Sequence, residues 1–370
     1  MVTAPPTLEI ALNLALNPAL DGKTRLQLAA CGQWSQLPTP CDMVQTWTER
    51  TLNWLDQHPD AFWLALGQAD YPANLLDLKN PPLVLFGHGN RHLLACRSVG
   101  VVGSRNATKV GLGHAQAMSK AFAQAGWVVT SGMAEGIDGA AHHGALDGQG
   151  GTIAVLGCGP DQVYPKHHRN LTERLLAHQG LLLSEYPPGT APQPAFFPRR
   201  NRLIASQADA LLVVEAAVKS GSLITAQVAS RLGRPVFAMP GSVHSSQSRG
   251  CHAMIKQGAG LADCAADVLD EALAQLKPGR ETHTAPMLQE AYKTRGQAPG
   301  CMAEPTDGLD PASQATLAVL DGQAREVDHI ARHCGLDEDD TLAALTELEL
   351  AGLAVCEAGG RWVRVGPAGR

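Results

Sequence analysis

Arginine carries the most pointed chemistry in this sequence. Arg105 follows Val102-Gly103-Ser104, while Arg199, Arg200 and Arg202 follow Phe196-Phe197-Pro198 with Asn201 among them. A guanidinium presents a planar fork that grips phosphate through two hydrogen bonds. Gly103 lets a ligand approach the chain closely, and Ser104 can donate to an oxygen. Arg105 could equally pair with a neighbouring carboxylate. The second group sets three arginines and an amide beside Phe196 and Phe197, combining charge for a phosphate chain with rings for base stacking. A solvated basic face is the plainer alternative.

Two further segments suit anions. In Ser131-Gly132-Met133-Ala134-Glu135-Gly136-Ile137-Asp138, Gly132 and Gly136 fit a backbone nest. Asp138 reads as the cap of the next helix, although a carboxylate there could act as a general base. In Glu215-Ala216-Ala217-Val218-Lys219-Ser220-Gly221-Ser222, the last three residues open a helix whose free N–H groups point outward, with Thr225 one turn on. Glu215 keeps a hydrolytic reading open. No G-x-S-x-G, H-E-x-x-H or Walker sequence occurs, so ATP hydrolysis has no support. The dinucleotide fingerprint fails at Arg105, which argues against NAD chemistry. No catalytic residue, metal or cofactor is assigned.

These groups need elements to position them. Ser98-to-Val102, Trp127-to-Thr130, Ile153-to-Leu156, Leu211-to-Val214 and Val236-to-Met239 are short apolar runs, most of them closing on small-residue loops. Parallel strands buried on both faces have this pattern. Helices are predicted over 111–125, 139–146, 166–178, 223–232 and 265–276. The alternation gives an α/β fold with a doubly wound parallel sheet, whose ligands collect at the carboxyl ends of its strands.

Residues 1–60 read as a small helical domain, with helices at 8–16, 23–31 and 42–55. It could be a weak nucleic-acid module or a packing domain; few basic residues favour packing. The α/β domain spans 61–276 and includes a connector over 61–96. Residues 277–312 are rich in Pro, Gly, Thr and Ala and read as a flexible linker. The segment 313–370 has a winged-helix pattern: three helices, then Leu353-to-Cys356 and Trp362-to-Val365 flanking Ala358-Gly359-Gly360.

Composition narrows the class. At 370 residues the chain has room for two or three domains, and 45% hydrophobic content supports large cores. Nine cysteines without a C-x-x-C pair suggest buried, reduced thiols rather than a metal site or disulfide framework. His142-His143 and His167-His168 lack metal spacing and read as surface or helix-start residues. No membrane-length apolar stretch or signal peptide is seen, so a cytoplasmic location is expected. The net charge of −6 is unevenly spread. Residues 97–271 carry 15 Lys and Arg against 12 Asp and Glu, whereas residues 313–366 carry 4 against 10.

The ordered motifs resemble the DNA-processing protein A family, also called DprA or Smf. The carrying segments are Val102-to-Arg105, Ser131-to-Asp138, Gly157-to-Pro165, Ser184-to-Pro187, Phe197-to-Arg202, Val214-to-Ala216 with Ser220-to-Leu223, and Met239-to-Gly241. Their order and spacing match over about 70–275. The resemblance implies an extended Rossmann-like domain that binds single-stranded DNA and forms homodimers. It also implies uptake of the strand entering during natural transformation and loading of the RecA recombinase. By motif match, Arg105 and Arg199–Arg202 hold phosphates and Phe197 lies against a base. Three positions depart from the pattern. Leu203-to-Gln207 lacks the usual Gly-Leu-Ser, and Pro194 stands where some members place lysine. The turn at Pro18-to-Gly22 lacks the Pro-Gly-x-Gly of a helix-hairpin-helix.

The expected DNA-binding set is therefore Gly103, Ser104, Arg105, Gly132, Gly136, Phe197, Arg199, Arg200, Asn201, Arg202, Lys219, Ser220, Gly221 and Ser222. The alternatives are a nucleotide or nucleoside-phosphate hydrolase using Glu215 or Asp138, and an interaction scaffold. The third helix of the winged-helix segment follows Asp337-to-Asp340 and carries Glu347 and Glu349. Phosphate would be repelled there, so a protein-contact or duplex-excluding role is expected.

Overall fold

The computed structural model describes residues 5–148, 150–275, 311–320 and 325–336, with 341, 344–345, 348, 354–357 and 361–364. It falls into two compact units, residues 1–291 and 292–370.

The first unit opens with α1 (Leu8–Leu16), α2 (Gly22–Cys31) and α3 (Asp42–Gln57). Thr7 and Asp21 cap the first two through their side-chain oxygens, accepting from Ile10 N–H and Thr24 N–H. Residues 61–96, read as a connector, contribute two strands, β1 (Ala61–Ala65) and β2 (Val84–Gly89). The α1 and α3 helices share a hydrophobic cluster with them: Leu8, Leu12 and Val44 meet Ala65, Val84 and Phe86.

The α/β part follows as β3 (Ser98–Val102), α4 (Lys109–Gln124), β4 (Val128–Ser131), α5 (Ile137–Leu146), β5 (Thr152–Leu156), α6 (Arg169–Ala177) and β6 (Leu181–Ser184). It continues as α7 (Phe196–Gln207), β7 (Ala210–Val213), α8 (Gly221–Arg231), β8 (Val236–Ala238), α9 (Arg249–Lys256), β9 (Gly260–Leu261) and α10 (Ala265–Ala274). All nine strands form one sheet in the order β1-β2-β6-β5-β4-β3-β7-β8-β9. From β6 to β9 every pairing is parallel; β1 and β2 add an antiparallel edge. The sheet is thus mostly parallel and mixed, not wholly parallel. Buried clusters line both faces, around Leu183, Leu203 and Leu211 on one and Val101, Phe122 and Leu212 on the other.

Strand order reverses at β3, which has β4 on one side and β7 on the other. Loops leaving a doubly wound sheet at such a switch point diverge to opposite faces and open a crevice between them.

In the second unit, α11 (Pro311–Val319) and α12 (Val327–Cys334) accompany β10 (Arg325–Glu326), β11 (Ala354–Glu357) and β12 (Arg361–Arg364). The strands form an antiparallel sheet in the order β10-β12-β11. Ile330, Leu345, Leu348 and Trp362 are buried together. Of the linker expected over 277–312, residues 277–310 lie outside the described residues, as do the acidic residues 337–340, Glu347 and Glu349, while Pro311 and Ala312 belong to α11 and not to a linker.

Candidate nucleic-acid interface

A cleft of about 490 Å³ opens at the switch point. Its walls are Gly103–Asn106 after β3, Ala134 and Asp138 at the start of α5, Arg200, Asn201 and Ile204 on α7, and Ala217 with Ser220–Ser222 and Thr225 at α8. Gln247 completes the lining.

Arg105 is exposed at the mouth and forms no ion pair among the described residues. Its guanidinium lies 5.8 Å from the Phe197 ring centre. That ring also meets Tyr164 at 5.2 Å. Ser104 is fixed from both sides. Its N–H donates to Glu215 C=O at 2.7 Å, its C=O accepts from Ile137 N–H at 3.1 Å, and its hydroxyl accepts from Asn106 N–H.

Opposite Arg105, Ser220 caps α8: its hydroxyl accepts from Ser222 N–H and lies 2.6 Å from the Ser222 hydroxyl. Ser220 N–H donates to Ala217 C=O and Ser222 N–H to the Ser220 hydroxyl, so the positive end of the helix and Gly221 N–H are what favour an anion here. Lys219 is exposed but does not line the cleft.

The glycines serve the protein before any ligand. A Cβ on Gly103 would lie 2.6 Å from Ile137 and 2.9 Å from Glu215 O. A Cβ on Gly132 would overlap the Arg200 guanidinium, and one on Gly136 would overlap Ser104 O. Gly136 also has φ +76°, which side chains rarely adopt. These residues let the β3, β4 and α7 segments close on one another.

Arg200 is buried in that junction at 3% exposure, reaching the cleft floor. Its Nη1 donates to Val155 C=O at 2.6 Å, and its Nε has no described partner. Burial lowers its pKa, while the charge of Asp138 opposes that shift. Asp138 is buried too, and burial raises its carboxyl above the ordinary range against the pull of Arg200 and Arg105. It does not cap α5 as expected. Gly136 holds the cap position, and Asp138 lies in the first turn, accepting from Ala134 N–H at 3.3 Å.

One turn on, His142 is fully buried, not a surface residue. The Thr152 hydroxyl donates to Val129 C=O, so it accepts from His142 Nδ1 at 2.7 Å. Burial holds His142 neutral, its pKa lowered to about 3. His168 is half-buried with its Nδ1 3.0 Å from Met133 C=O.

The arginine segment forms α7, a helix absent from those predicted, and helical spacing divides it. Arg200, Asn201 and Ile204 face the cleft; Arg199 and Arg202 face away from it into a different groove. Arg202 is held by Glu185, 2.5 Å from both carboxylate oxygens, and donates to Asn80 C=O. Arg105 and Arg199–Arg202, expected together to hold phosphates, are therefore divided between two surfaces. Glu215 is likewise engaged: Oε2 accepts from Thr108 N–H at 2.9 Å and Oε1 from the Thr108 hydroxyl at 2.6 Å. It secures the start of α4 and does not line the cleft.

Asn106 and Gln247 line the cleft without having been singled out. Asn106 adjoins Arg105 and was legible as its neighbour. Gln247 comes from the loop after β8 and carries no motif.

The family model described as DNA recombination-mediator protein A matches residues 63–273, and that of the DprA winged helix domain matches residues 302–360. The chain belongs to the DprA/Smf family. Protein Smf of Escherichia coli K12 is 36% identical over 314 residues, covering 84% of this chain and 79% of that protein. The DNA processing protein DprA of Streptococcus pneumoniae R6 is 43% identical over 201 residues, 54% of this chain and 71% of that one.

Among solved structures, the S. pneumoniae DNA processing protein A aligns with a TM-score of 0.62 at 33% identity, covering 72% of this chain and 99% of that chain. The Helicobacter pylori protein aligns with a TM-score of 0.52 at 28% identity, covering 59% of this chain and 97% of that chain. Its structure is described as showing a single-stranded DNA binding mode. The family and the Rossmann-like architecture with a winged-helix segment thus agree with the motif reading. For this DprA/Smf member, the cleft offers an exposed cation, an aromatic edge and a helix start on one wall system.

Proposed function

We propose that this chain is a single-stranded DNA-binding protein, not an enzyme. Phosphates run past Arg105 and the positive start of α8 at Ser220–Ser222, and a base lies against Phe197. One observation carries the reading: Arg105 is exposed, carries no described ion pair, and stands over the Phe197 ring at the mouth of the switch-point cleft. An unpaired guanidinium beside a ring provides for both parts of a nucleotide, charge and base. Gly103, Gly132 and Gly136 support the site by admitting the groups that shape it. Arg200 and Asn201 form its floor, and Lys219 adds charge nearby.

In this reading the protein holds DNA entering the cytoplasm during natural transformation and delivers it to a RecA recombinase. It does so as a homodimer joined through the Rossmann-like domain. Among the described residues, no helix is long and apolar enough to cross a membrane. Of the two carboxylates a hydrolase could use, Glu215 is committed to Thr108, and Asp138 is buried in the cleft wall with its pKa raised.

The test is titration of a labelled oligothymidylate with the wild type and Arg105→Ala. The variant should bind about tenfold more weakly, and its log affinity should fall less steeply with log salt by ~0.7, one phosphate contact. An unchanged curve removes Arg105 from the interface. Release of base from nucleoside monophosphates would favour the hydrolase instead.

A further inference from the structure

We infer that the strand does not end at the cleft: a second groove, on the opposite face of α7, takes the next stretch of the same single-stranded DNA. This rests on the single-strand reading above and extends it to a surface that includes the N-terminal helical segment.

The groove has a volume of about 620 Å³. Its charged lining is Arg25, Lys79, Arg199 and Arg202 against one carboxylate, Glu185. Arg202 already neutralises Glu185. Arg25 donates to two carbonyls, Ala15 and Asn17, each at 2.7 Å, so its positive charge has no counter-ion there. Lys79 and Arg199 are exposed, and none of Arg25, Lys79 and Arg199 forms an ion pair among the described residues. Three uncompensated cations on one concave surface attract a polyanion.

The two basic surfaces are joined by aromatic rings. At the start of α7, Phe197 turns toward the cleft, beside Tyr164 and Arg105. Its neighbour Phe196 stacks on Tyr186, 4.1 Å between ring centres and 22° between planes, and Tyr186 lines the second groove. Tyr164 is 46% exposed. The order is therefore cation, ring pair, ring pair, cations. Single-strand channels combine a basic groove with stacking rings in this way. A duplex keeps its bases paired away from such rings, so the surface favours an unpaired strand over a duplex.

Anisotropy titrations with oligothymidylates of ~6 and ~20 nucleotides test this. In Lys79→Ala/Arg199→Ala, the advantage of the long strand over the short one should fall about tenfold. The salt slope for the long strand should become shallower by ~1.4, two phosphates' worth. Tyr186→Leu should weaken the long strand about fivefold or more through lost stacking. Both changes lie at exposed or half-exposed positions, and unfolding midpoints equal to wild type would exclude a folding defect. An unchanged length preference and slope would overturn the groove. Arg105→Ala separates the two claims. If it weakens both lengths while the groove variants change nothing, only the groove proposal fails. If it affects neither length, Arg105 leaves the interface, and if the wild type binds neither length, the single-strand reading fails as well.

Discussion

At the scale of residues, the cleft rests on polar groups that water barely reaches. Asp138 and Arg200 are buried in its lining, and His142, outside that lining, is fully buried. Their protonation is tied to the fold, and the signs oppose. His142 has a folded pKa of about 3 against 6.5 when exposed. Below pH 6.5 the unfolded chain takes a proton that the folded one refuses, so stability falls as pH drops toward 3, at up to about 1.4 kcal/mol per pH unit. Asp138 has its folded pKa raised, so it works the other way, retaining its proton in the fold as pH rises past 3.8. His88, His143 and His168 are also lowered by burial and act like His142. His142→Asn keeps a donor toward Thr152 and removes the titration. Urea unfolding at several pH values from about 7 to 4.5 should show its stability declining less steeply than wild type, by up to one proton's worth. Equal slopes would mean that His142 is not shielded from water. None of this was readable from the histidine pairs: His142 and His143 are adjacent, and only the helix sends one inward.

At the scale of elements, helices and strands converge because small residues let them. The sequence made the strand–loop–helix units plain, since runs such as Ser98-to-Val102 are apolar on both faces and close on Gly, Ser or Pro. It concealed β1 and β2, where Trp63 and Phe86 lie in an edge pair flanked by prolines and irregular turns. It also concealed α7, where Pro198 and three arginines resemble a loop. Pro198 falls in the first turn, where a missing N–H costs nothing, so the helix forms and its period divides the arginines. Glu215 shows how elements are tied together. Its carboxylate leaves the end of β7 and caps α4 through Thr108. Glu215→Ala should therefore cost about 1–2 kcal/mol, read as a lower urea midpoint, with single-strand affinity within about twofold of wild type. A hydrolase built on Glu215 would lose turnover instead, with the midpoint unchanged.

At the scale of the whole molecule, charge separates two roles. The α/β region carries a small basic excess, and what matters is where the charges lie: Arg105 at the cleft, with Lys79, Arg199 and, from α2, Arg25 on the other side of α7. Residues 313–366 carry 4 basic against 10 acidic side chains, and a winged-helix segment of that balance repels a phosphate backbone. Because residues 1–291 form a compact unit with their own cores, loss of the segment 313–370 leaves the cleft intact. A chain lacking that segment should bind a ~20-nucleotide oligothymidylate within about threefold of the full chain, with the same salt slope. Loss of its repulsion should, if anything, tighten binding at low salt, where screening is weakest. A loss beyond tenfold, or a shallower slope, would place phosphate contacts in the acidic segment and reverse the division of labour argued from charge.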